Sequence, residues 1–331
     1  MWNVSLSSTF HNPRQLTAIR ACDEKGGMLV TSATSDSIEG YRDVASPLTA
    51  QMLAPLPPHC PGVSIIEPLN DGDYQKVAEL LSESPDKELY ISQLETPEWS
   101  SRSFVEHPIT DLKFLRFFPS LQRFACNLFY LESLDGLQHL SACVRLRIFK
   151  SPARLSAAPI GELTGLDYLM LDGQIRDLDT LKTLPNLTTL SLGYARKLPG
   201  LGFLPASLRT FYMNRGSITD ISALADTHLE KLSFFKVGAL SDLSPISQVT
   251  SLHHLQLYHL REVTDLPDMS ALGNLTDLII DDLKNLSDTR PVLTAPHLTN
   301  LTVTNLPSID PQAWEQTWKT WLQQGRPPFW E

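Results

Sequence analysis

Nine segments of the chain repeat one phrase: an apolar residue, two free positions, an apolar residue, one free position and an apolar residue, with leucine dominant. They begin at Leu121, Cys143, Leu166, Leu187, Leu208, Leu229, Leu252, Leu275 and Leu298. Successive starts lie 22, 23, 21, 21, 21, 23, 23 and 23 residues apart. A fixed period of this length marks a solenoid, in which one unit cannot bury its apolar side and a stack of units can. Such a chain spends its sequence on a long surface, which points to binding rather than to chemistry in a closed pocket.

Each unit divides in two. The first half alternates like a strand, as in Leu187-Thr188-Thr189-Leu190-Ser191-Leu192. Strand side chains alternate in direction, so the paired leucines face a core and the residues between them face out. The second half returns with apolar residues about every three positions, as in Ile218-Thr219-Asp220-Ile221-Ser222-Ala223-Leu224 and again at Leu240-Ser241-Asp242-Leu243. Together the halves read L-x-x-L-x-L, then I-x-D-I-x-x-L. This wording resembles the short-repeat leucine-rich repeat (LRR) proteins, the class of the internalins and the phosphatase regulators, over about residues 86–310. The resemblance implies an α/β solenoid with parallel strands on a concave face and short helical or extended turns on a convex face. It departs from the family at the turn asparagine, whose place is held by Ala195, Gly216, Val237, Leu260, Leu283 and Leu306.

Residues 1–85 do not follow the period and are expected to form an N-terminal capping region. Within them, residues 54–62 are a proline-rich break, and Gly27-Met28-Leu29-Val30-Thr31-Ser32 reads as a short strand. Residues 73–81 read as an amphipathic helix with Asp71 or Asp73 near its cap. Glu88-Leu89-Tyr90-Ile91-Ser92 reads as a degenerate first repeat, separated from the regular array by an insertion between Glu95 and Ser120. The tail from residue 311 is expected to be a helical cap, because Trp314, Trp318 and Trp321 share one helix face. An uncapped solenoid end would expose a large apolar patch.

The net charge is −10, which disfavours a phosphate backbone as a partner. Cys22, Cys60, Cys126 and Cys143 form no C-x-x-C pair, and Cys126 and Cys143 occupy apolar positions of the repeat. The N-terminus lacks a basic and an apolar signal region, and no apolar run of 18 residues occurs, so a cytoplasmic protein is expected, with no membrane partner. Asn186, Asn274 and Asn300 begin Asn-Leu-Thr or similar acceptor phrases, but they recur at fixed phases and read as repeat grammar. The nucleotide-binding, metalloprotease and serine-hydrolase motifs are missing, so no catalytic residue, cofactor or metal is assigned.

Placed on strands, the outward residues carry three features. Arg123, Arg145, Arg147 and Lys150 make the early end basic; Asp277, Asp281 and Asp282 make the late end acidic. Between them Phe149, Tyr168, Met170, Tyr194, Tyr212, Phe235 and Tyr258 supply aromatic and soft apolar area, joined by Lys231 and His254. Aromatic residues, Met and Arg are the favoured anchors of protein interfaces, and opposed charge at two ends orients a partner during encounter. His254 and His259 are expected one strand from Asp277 and Asp282, a His/Asp neighbourhood compatible with a metal or an acid–base pair. A metal site needs three or four convergent ligands, however, and ordinary interface residues explain the cluster better.

The expected function is therefore a non-enzymatic scaffold, monomeric, that binds another protein on its concave face. Its sharper version is an intracellular inhibitor or immunity-type protein that neutralises a toxin or effector enzyme. Two other readings are a substrate-recruiting adaptor and an N-terminal catalytic region served by the array.

Overall fold

The computed structural model describes residues 20–22, 28–30, 40–93, 107–307 and 310–323. Twelve strands form one parallel sheet in strict chain order. They are β3 (Arg42–Val44), β4 (Gly62–Ile65), β5 (Glu88–Gln93), β6 (Arg123–Leu128), β7 (Arg145–Ser156), β8 (Tyr168–Arg176), β9 (Thr189–Gly193), β10 (Thr210–Asn214), β11 (Lys231–Phe235), β12 (His254–Tyr258), β13 (Asp277–Asp281) and β14 (Asn300–Thr304). Two short antiparallel strands, β1 (Arg20–Cys22) and β2 (Met28–Val30), form a separate pair. The expected strand at 28–30 is thus present; its flanks at 27, 31 and 32 lie outside the described residues.

Register carries the repeat. Leu190, Phe211, Leu232, Leu255, Leu278 and Leu301 are partners in one unbroken row, and each is buried. Phe211 and Phe234 stand where most repeats have leucine, and they meet edge to face at 6.4 Å. That geometry suits the ring quadrupole and lets two large side chains share the core. Each strand then returns through 3₁₀ turns such as Lys113–Phe117, Ala158–Glu162, Ser222–Asp226, Ser244–Gln248 and Arg290–Thr294. The aspartate of the repeat phrase has a mechanical role here. Oδ1 of Asp220, Asp242 and Asp288 accepts the backbone N–H two residues on, satisfying a donor that the short turn leaves open. The segments between β9 and β10 and between β12 and β13 return through turns and irregular backbone instead.

The missing turn asparagine does not disturb this regularity. Its positions are filled by buried Ala195, Val237, Leu260, Leu283 and Leu306, which enlarge the core. The turn is satisfied by backbone alone. Tyr194, Arg215, Lys236, His259, Asp282 and Asn305 each follow a strand and each adopts a left-handed φ, between 51° and 57°. That rotation aims the N–H of Tyr194, Arg215, Lys236, His259 and Asp282 at the last strand carbonyl of the next repeat, over 2.7–3.2 Å. A second ladder runs at the turn before each strand. Asn186 and Asn274 donate to the carbonyls of Thr164 and Thr250, and Ser251 donates to Leu229 O. These asparagines therefore stitch repeats together, as their fixed phase suggests.

The sheet extends earlier than the sequence period. β3 and β4 pair in parallel with the array ahead of residue 86. Between β4 and β5 the return is a full helix, α1 (Asp71–Ser82). Its cap is Asn70 rather than Asp71 or Asp73: Asn70 Oδ1 accepts from Asp73 N at 3.0 Å. Asp73 instead turns inward, where Ser46 Oγ and Asn70 Nδ2 donate to it. Tyr74 of α1 stacks on Phe114 and Phe117 of the next return, which joins helix to array. Residues 96–106 of the expected insertion lie outside the described residues. At the other end, α2 (Pro311–Gln323) buries Trp314, Trp318 and Trp321 in the same apolar cluster as Leu301, Val303 and Leu306.

Candidate functional site

The outward strand residues form one face, and the structure places all thirteen residues singled out from the sequence on it or at its rim. Arg123, Arg145, Arg147, Phe149, Tyr168, Met170, Tyr212, Lys231, Phe235, His254, Tyr258 and Asp281 are strand residues, and Tyr194 follows β9 directly. Most are half-buried, as expected where neighbouring strands crowd side chains together on a concave surface. The crowding goes further at some outward positions: Tyr90, Ala125, Ser191 and Ser233 are buried. Small side chains there are overshadowed by large neighbours, and Tyr90 is enclosed by Tyr41 and Phe149.

The basic end is less available than the sequence suggests. Arg147 Nε and Nη2 donate to the Glu88 carboxylate, and the Tyr41 hydroxyl donates to Glu88 Oε2 at 2.6 Å. Burial, with the Glu88 charge beside it, pushes the Tyr41 phenol well above its ordinary range. Arg147 is thus committed within the chain. Arg145 stands 4.5 Å over the Tyr168 ring, a cation–π contact. In the middle of the face Phe235 and Tyr258 meet edge to face at 6.1 Å. Lys236 Nζ lies 5.3 Å over the Phe235 ring, and Arg215 donates to the Tyr194 hydroxyl at 3.0 Å.

The acidic end is largely satisfied from within. Asp277 accepts from Asn300 and faces His254 Nδ1 at 3.2 Å; Asp281 accepts from Thr304 and Asn305; Asp282 pairs with His259. The strand register puts His254 opposite Asp277, as the period implies. These are separate pairs: among the described residues no three His, Cys, Asp or Glu side chains come together to hold a metal ion. Cys126 and Cys143 are buried, and burial pushes both thiols up to about 12, so neither offers a thiolate.

One residue of this face escapes a reading by residue class. Asp172 points outward from β8 beside Gly193 of β9. A Cβ on Gly193 would collide with Asp172 Oδ1, so the carboxylate lies over the glycine backbone. Burial raises its pKa to about 6. The signal available in the sequence was an acid at an outward position with glycine at the same position one repeat later.

Among the described residues no helix is long and apolar enough to cross a membrane. No protein-family model matches the chain, and no curated protein matches it. Solved structures do resemble it. Internalin C2 of Listeria monocytogenes is 22% identical over 61% of this chain and 88% of its own, with a TM-score of 0.46. An internalin, inlF, of the same organism is 19% identical over 75% and 77%, with a TM-score of 0.48. The LRR ectodomain of the plant membrane receptor kinase GASSHO1/SCHENGEN3 from Arabidopsis thaliana, solved in complex with Casparian strip integrity factor 2, is 18% identical over 74% and 29%, with a TM-score of 0.45. The fold itself follows from the 21–23-residue period and twelve parallel strands in chain order: this chain is a leucine-rich-repeat solenoid.

Proposed function

We propose that this protein is a non-enzymatic scaffold that holds another protein on the concave face of its sheet. The observation that carries the reading is the row of half-buried apolar and aromatic side chains on that face. Phe149, Met170, Tyr212, Phe235, Tyr258 and Ile279 come from six different strands. Side chains of this kind add nothing to the core beneath the sheet, yet they are the types that anchor interfaces. The sharper form is an inhibitor working in the cytoplasm, which covers the active surface of a toxin or effector enzyme. It is supported by the net charge of −10 and by a face long enough to cover a globular partner.

The test is a double substitution, Phe235→Ser with Tyr258→Ser, assayed against the partner purified with the chain from its native host. The expected result is a loss of affinity of about a hundredfold or more with the melting temperature nearly unchanged. Unchanged affinity overturns the reading.

A further inference from the structure

We infer that the rim of the sheet at the ends of β9, β10 and β11 takes an acidic segment of the protein partner, whose carboxylates sit on Arg196, Lys197, Arg215 and Lys236. This deepens the concave-face reading and rests on it.

Three consecutive repeats leave the sheet by the same left-handed step, at Tyr194, Arg215 and Lys236. The step stacks them along one rim, because each N–H reaches the last strand carbonyl of the next repeat. Arg196 and Lys197 follow Tyr194 and are exposed. They run beside Ser217, whose N–H donates to Ala195 O at 2.9 Å and whose carbonyl accepts from Leu198 N at 3.1 Å. Ser217 pairs in turn with Gly238, so the row continues over small residues and the shelf beside the cations is low. Four cations thus gather within three repeats of a chain whose net charge is −10. Every side chain from residue 153 to residue 307 is described, so the strands on both sides of this rim are accounted for. Among the described residues no ion pair reaches any of the four. The neighbouring acids are engaged elsewhere: Asp177 pairs with Arg176, Asp282 with His259, and Asp220 Oδ1 accepts from Ser222 N.

Arg215 supplies the sharper argument. Its Nη1 donates to the Tyr194 hydroxyl at 3.0 Å. Its Nε is buried and has no acceptor among the described residues. A buried donor left unmet is costly, and folded chains keep few of them. Nε and Nη2 form one edge of the guanidinium, the edge that a carboxylate grips side-on with two parallel hydrogen bonds. A carboxylate arriving at the rim meets Nη2, and a turn of the side chain brings Nε into the pair. Lys236 adds a second charge one repeat on, with its Nζ over the Phe235 ring rather than on an acid. Phe235 and Tyr258 beside it are anchors suited to a protein surface, and the anion such a surface carries is the carboxylate of aspartate or glutamate. Cations facing those acids also speed the encounter.

The full-length chain is titrated into fluorescein-labelled hexaglutamate amide while fluorescence anisotropy is followed, with hexaglutamine amide as the uncharged control. The expected result is saturable, salt-sensitive binding of hexaglutamate alone, weakened about tenfold or more by Arg196→Gln with Lys197→Gln. Those two side chains are exposed, so the melting temperature of that variant is expected to stay level. Arg215→Lys keeps the charge but removes the fork, and is expected to weaken binding as well. Lys113→Gln with Lys182→Gln removes equal charge from exposed return turns and is expected to leave binding unchanged. No saturable binding, equal binding of hexaglutamine, or an equal loss from the Lys113 and Lys182 variant overturns the proposal. Tighter binding of a thymidine oligonucleotide of equal charge overturns it too. If hexaglutamate fails while Phe235→Ser with Tyr258→Ser still abolishes partner binding, the rim site falls and the concave-face reading stands.

Discussion

Arg147 on β7 reaches across β6 to grip Glu88 on β5, with two guanidinium nitrogens on one carboxylate. Sequence alone marks Arg147 as a free interface cation. In the folded chain it is a strut between two strands, with Tyr41 closing over it from the segment ahead of β3.

Arg147→Met should therefore destabilise the fold rather than spare it. Glu88 is buried, so removing its partner leaves an uncompensated charge, at a cost of about 2–4 kcal/mol. Equilibrium urea unfolding checks this. Glu88→Gln on the Arg147→Met background should restore part of the loss, and a double-mutant cycle with no coupling would show that the pair is idle.

The left-handed column gives a second prediction. Lys236 adopts φ 53° to place its N–H on Tyr258 O. A side chain in that conformation costs about 1–2 kcal/mol, and branching at Cβ makes it worse. Lys236→Gly should raise stability by up to about 1 kcal/mol, and Lys236→Val should lower it by a similar amount. Thermal melts of the two variants should move in opposite directions.

Asp172 sets a pH dependence of unusual sign. Its folded pKa of about 6 exceeds the ordinary 3.8, so the folded state holds an extra proton between those values. Stability is then lost as pH rises from about 4 to about 6 and stays level above that. Asp172→Asn should match the wild type below pH 4 and exceed it by about 1–3 kcal/mol at pH 8. The turn aspartates act the other way: hydrogen bonds from Ser244 and from Arg290 hold Asp242 and Asp288 below their usual range, so their support is lost as pH falls below about 4. Urea midpoints of both proteins across pH 3–8 would show the divergence, and parallel curves would contradict it.

Leu232 is buried between Phe211 and Leu255 in the central row, so Leu232→Ala should cost about 2–5 kcal/mol by chemical denaturation.

Periodicity made most of the fold legible. Once the leucines were phased, the register of His254 against Asp277 followed, because parallel strands with equal spacing leave no freedom to slip. The strands at 42–44 and 62–65 were not legible, since three or four residues carry no period and only pairing with the neighbouring strand defines them. The candidate face was legible as to which side chains point outward. It was not legible as to which are already engaged. Arg147 and Glu88 are 59 positions apart, and nothing local announces their pairing. Asp172 is the converse case: its register against Gly193 one repeat later follows from the period alone.

The most direct test of the concave-face account is site-specific photo-crosslinking to the native partner. A photoreactive residue is placed at Tyr212, on the inner face, or at Ser222, exposed on the opposite turn. The account predicts a covalent adduct from position 212 and none from 222; an adduct from 222 with none from 212 would contradict it.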